Sequence, residues 1–108
     1  MQNELDHVIT TWFAKRHRGL ILPDGWLGRP YAEQVKLTVC TLRPVRLIIE
    51  LNQQLYLILS DAELVSMDED ELKLSFTRLI FDWRYSGRIA KDDLKMYEEG
   101  TLIFASVW

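Results

Sequence analysis

Between residues 35 and 59 the apolar side chains return at every second position, and this period constrains the fold more than any other feature of the chain. Val35, Leu37, Val39 and Thr41 alternate with Lys36, Thr38, Cys40 and Leu42. Successive side chains of a strand point to opposite faces, so a period of two reads as half-buried β-structure. Pro44 ends the run, because it has no N–H to give to a ladder. Residues 45–51 (VRLIIEL) and 55–59 (LYLIL) resume it on either side of a polar turn, Asn52-Gln53-Gln54. The three runs read as an antiparallel meander. Residues 63–67, 72–76, 79–83 and 101–108 (TLIFASVW) supply further strand-like runs. The acidic cluster DEDE at 68–71 falls between two of them, where a hairpin tip is expected.

Ahead of the strands the period is helical. Leu5, Val8, Ile9, Trp12 and Phe13 follow the spacing of one apolar helix face. Asn3 suits the N-cap, Glu4 and Asp6 the first turn, and Lys15, Arg16, His17 and Arg18 the last. Gly19 can then stop the helix, so the spacing predicts a helix over residues 3–18. The polar segment 86–100 predicts at most a helical turn near 92–97. The expected fold is α+β in a single domain, 1–108. Its N-terminal helix packs on a strongly bent, mainly antiparallel sheet, or partly open barrel, of six or seven strands.

A net charge of −3 argues against a general nucleic-acid binder, which carries a basic excess. The single Cys40 cannot form an internal disulfide, which points to a reducing compartment, most simply a cytoplasm. The N-terminal MQNELDHVITTWF lacks the basic start and apolar run of a secretory signal, and no apolar run can span a bilayer. There is no P-loop, GxGxxG, GxSxG or HExxH, so neither a cofactor nor a metal is expected. His7 and His17, ten residues apart on one helix, would stand about 15 Å apart and could not share a metal. Cys40 reads as a buried strand thiol. Asp82, inside LIFDWRY, reads as the polar member of an outward face; turned inward it would need a cation.

The stretch LPDGWLGRPY, residues 22–31, places Trp26, Arg29 and Tyr31 in a segment rich in backbone breakers. Pro23-Asp24-Gly25 reads as a turn. The aromatics either plug an open end of the sheet or anchor a partner, since Trp, Tyr and Arg dominate interface hot spots. Asp68, Glu69, Asp70 and Glu71 are either a solvated tip or a patch that docks on a basic partner.

LPDGWLGRPY, followed by RLIIELNQQLYLILSD and LIFDWRYSG, resembles a pattern in small, mostly uncharacterised bacterial proteins, with Ala32 where that pattern has Asp. The overall type is similar to immunity proteins of bacterial toxin systems, including contact-dependent growth inhibition. The resemblance implies a small cytoplasmic protein, not an enzyme, that binds one cognate toxin domain and blocks its active site. In that role the partner is a protein toxin domain, such as a nuclease, and neither nucleic acid nor membrane. Asp68 to Glu71 would cover a basic cleft, with Trp26, Arg29 and Tyr31 as anchors. The alternative is an adaptor domain that binds peptides at a sheet edge. A small enzyme using Asp61 and Asp82 would require the two carboxylates to converge. A homodimer could form through a free edge of the TLIFASVW strand.

Overall fold

Leu5, Ile9 and Phe13 lie on one face of a helix and are buried, so the N-terminal segment folds against the sheet as α1, Leu5–Phe13. The structure, a computed structural model, describes residues 4–14, 16–26, 34–43, 45–53, 55–83 and 94–106. Asn3, the expected N-cap, lies outside them. The helix stops five residues before Gly19 is reached, at Ala14, which takes the left-handed conformation (φ 45°) and donates its N–H to Thr10 O at 3.2 Å. The basic run therefore does not end the helix. His17 and Arg18 begin a strand, β1 (His17–Leu22), so the two histidines do not share a helix. Arg18, Leu20 and Leu22 alternate into the core, and burial of that face outweighs the favourable charge–dipole term of a longer helix.

The remaining strands are β2 (Gly25–Trp26), β3 (Gln34–Leu42), β4 (Arg46–Leu51), β5 (Leu55–Ser60), β6 (Glu63–Met67), β7 (Glu71–Trp83) and β8 (Leu94–Ser106). All pairs are antiparallel. The pairing closes on itself through β1, β3, β4, β5, β7, β8 and back to β1. This ring is not a regular barrel: β2 and β6 lie off it. The α+β expectation holds, as does the β3–β4–β5 meander. Leucines of β4, β5 and β7 fill the interior, and Phe13 of α1 meets Phe104 of β8 edge to face with ring centroids 5.0 Å apart.

Besides a register shift between Leu64 and Ser66 on β6, two irregularities bend the sheet. Between Leu37 and Val39 the β3–β4 register shifts, and the hairpin turn that joins β4 to β5 fills the gap. Asn52 Oδ1 accepts from Lys36 N at 2.9 Å, Asn52 N donates to Lys36 O at 3.0 Å, and Gln53 N donates to Thr38 Oγ1 at 3.0 Å. The second irregularity is a crease. In β7 the buried positions are Leu72, Leu74 and Phe76, then Leu79 and Phe81, so the alternation slips by one residue around Thr77. Its two neighbours slip at the same level, β8 beside Gly100 and the β5–β6 chain at Asp61 (φ 52°). Thr77 Oγ1 holds the crease by donating to Asp61 Oδ2 at 2.9 Å.

The crease corrects two expectations. Residues 72–76 and 79–83 are one strand, because a phase slip bends a strand without ending it. Residues 94–106 are likewise one strand, not a helical turn followed by a strand. Six aligned partners on β7 hold the polar half of β8, residues 94–100, extended. Among the described residues of TLIFASVW the edge is also not free: Ile103 to Ser106 pair with β1, and β7 occupies the other side.

Candidate partner-binding surface

The acidic tip is a built element. Asp68 Oδ1 accepts from the N–H groups of Asp70 and Glu71, at 2.8 and 2.9 Å, which is how an Asp closes a turn on itself. The backbone carbonyls then face the protein. Asp68 O accepts from Trp12 Nε1 at 2.6 Å, Glu69 O from Arg18 Nη1 at 3.2 Å, and Asp70 O from Ser106 N at 2.7 Å. Residues 68–71 are all exposed, so the carboxylates of Glu69, Asp70 and Glu71 stand on a seated backbone.

Arg18 is the centre of this seat. It is 3% exposed, and its guanidinium lies 3.9 Å from the centroid of the Trp12 ring. It donates to Trp12 O at 3.2 Å and to Ser106 Oγ as well as to Glu69 O. Its Nε is buried and has no partner among the described residues. Burial pushes its pKa below the ordinary value, with the charge of Arg16 acting in the same direction and Asp70 against it. One buried cation thus joins the end of α1, the acidic tip and the end of β8.

Beside the tip, β6 is exposed along its whole length. Leu64 and Met67 stand opposite Leu74 and Leu72, whose side chains are buried, yet they are 39% and 48% exposed. The reason is topological: β5 has β4 on its outer edge, whereas β6, at the end of the strand path, pairs with β7 alone. An apolar edge therefore adjoins the carboxylates. Nothing in the period of residues 63–67 distinguishes this exposed strand from the buried ones.

The other candidate residues belong elsewhere. Trp26 pairs with Ile21 across the β1–β2 hairpin, while Arg29 and Tyr31 lie outside the described residues, as does the side chain of Trp26. Pro23 and Asp24 form the expected turn, with Gly25 at φ 127°. The turn is fastened to β8: Tyr97 Oη donates to the Asp24 carboxylate, 3.2 Å from each oxygen. Burial first, and Asp24 second, push the Tyr97 pKa up to about 12. A Cβ on Gly100 would stand 3.5 Å from the Phe76 ring and 3.7 Å from Pro23, ordinary contact distances, so the turn lies packed against β8 at this point. Strands β1, β8 and β7 separate β2 from β6, about 19 Å across the sheet.

Asp61 and Asp82 do not converge. Asp61 lies at the crease, whereas Asp82 is on the outward face of β7, four residues beyond the Ser60–Arg78 pair and about 13 Å along the strand. Cys40 is half-buried on β3, and burial, helped by Asp6, pushes its thiol up to about 12. Among the described residues no group of three or more His, Cys, Asp or Glu is placed to hold a metal, and no helix is long and apolar enough to cross a membrane. The chain matches no family model, no curated protein and no solved structure.

Proposed function

We propose that this chain is a non-enzymatic cytoplasmic binding protein whose acidic β6–β7 tip docks on a basic face of a partner protein, in the manner of an immunity protein that covers a toxin domain. The observation that carries the reading is the seat under the tip. Three separate donors hold the carbonyls of Asp68, Glu69 and Asp70, so the backbone that carries the carboxylates is ordered before binding and has little entropy left to lose. Such a patch steers a basic partner at long range, and the steering weakens with salt. The exposed apolar edge of β6 supplies the adjoining dry contact.

The test is a binding titration against the C-terminal domain of a large secreted protein encoded next to this one, at low and high salt. The expected result is tight one-to-one binding with loss of that domain's toxicity. Changing Glu69, Asp70 and Glu71 to Lys is expected to slow association much more at low salt than at high salt. Equal slowing at both would remove the steering role. The exposed β6 edge also favours a second reading, an adaptor that adds an extended peptide to the sheet. Weak binding to several unrelated peptides, with none bound tightly, would select it.

A further inference from the structure

The outward face of the ring carries a pattern that the acidic tip does not use. The register aligns Met96, Ile80, Ile58, Ile48 and Thr41 in one row across β8, β7, β5, β4 and β3. These side chains point outward, because their strand neighbours Leu47, Ile49, Leu57, Leu59 and Leu79 are buried at 0% exposure. On one side of the row Asp82, Tyr56 and Glu50 are aligned; on the other side stand Glu98, Arg78, Ser60 and Arg46. On β4 and β7 the face thus reads acidic, apolar, basic along the strand direction, while β8 departs from it with Glu98.

We propose that a second copy of this chain docks on this face, with a two-fold axis running along the isoleucine row. Such an axis keeps each residue's place along the row and inverts its position along the strands. Ile58 then meets Ile58 and Ile48 meets Ile48. Glu50 of each copy meets Arg46 of the other, twice per dimer, and the row containing Asp82 meets the row containing Arg78. A two-fold axis parallel to the strands would instead set the acidic rows against each other and the basic rows against each other. The charge pattern therefore selects one partner, the chain itself, and one orientation. Five strands by three rows span roughly 24 by 20 Å, or about 500 Å² per copy. That is smaller than a standard interface, so the dimer is weak and depends on concentration. The inference does not rest on the proposed toxin partner, since neither β6 nor residues 68–71 take part.

Sedimentation equilibrium on the full chain, from micromolar to millimolar, tests it. The expected mass rises from one chain toward two. Glu50→Arg and Arg46→Glu each turn two opposite-charge meetings into like-charge ones and are expected to weaken the dimer by at least about tenfold. The double variant Glu50→Arg with Arg46→Glu is expected to restore it. Circular dichroism and thermal melts check that each variant keeps its fold. A wild-type chain that stays monomeric to millimolar concentration overturns the proposal. So do single variants that dimerise like wild type, and a folded double variant that stays as weak as the singles.

Discussion

Replacing Arg18 by Met keeps most of the aliphatic stem and removes the charge that joins three elements. The side chain is 3% exposed and donates to Trp12 O, Glu69 O and Ser106 Oγ. Hydrogen bonds from a charged donor contribute about 1.5 kcal/mol each at the low end, so the three together give roughly 4.5 kcal/mol. Stacking on Trp12 adds about 1 kcal/mol. Met avoids the desolvation of the guanidinium and recovers an estimated 2 kcal/mol or so, since burying a charge is itself costly. The net expected loss is about 3 to 4 kcal/mol, or roughly 15 °C in Tm for a domain of this size. Urea unfolding measures it, with the midpoint falling and the m-value unchanged. Combining Arg18→Met with Trp12→Phe should lose less than the two separate losses added together, because the residues share contacts. A loss below about 1 kcal/mol would refute the argument, since the desolvation would then cancel the whole hydrogen-bonded set.

Two further outcomes follow from the titrating groups. Tyr97 is held protonated to about pH 12, above its ordinary value, so the folded state binds the extra proton. The stability from its neutral form is present below the ordinary tyrosine range and is lost as pH rises through about 12. Tyr97→Phe should lose less stability than wild type on moving into that range; equal alkaline losses would show that Tyr97 is not the group responsible. Cys40, pushed up to about 12, should react with an alkylating reagent far more slowly in native buffer than in denaturant, and labelling at the free-thiol rate in native buffer would contradict its burial.

Where the alternation keeps its phase, sequence and structure agree, as in β4 and β5 and at the Asn52 turn. The sequence misleads where the phase slips. At Thr77 and Gly100 a crease continues the strand, but a one-residue slip in the pattern has the same appearance as a turn. Arg18 misleads for another reason. A cation after an amphipathic helix suits the helix end, and only the later arrival of Glu69 and Ser106 makes its burial in β1 favourable. The acidic tip is plain in the sequence, but its seat is not, since Trp12 and Asp68 are separated by 56 residues. The outward isoleucine row has the same character: its members lie on separate strands and become neighbours only through register.

Closure of the ring has a consequence for how the chain is made. β1 emerges before its partner β8, which follows every other strand of the ring in the sequence, and Arg18 waits for Ser106 across 88 residues. Until then Leu20 lacks its cross-strand neighbour Phe104, and the β1 edge that β8 will occupy is open to another chain. The β3–β4–β5 meander, built from adjacent hairpins, can form during that interval. The slow, aggregation-prone step in folding is therefore expected to be the capture of β1 by β8.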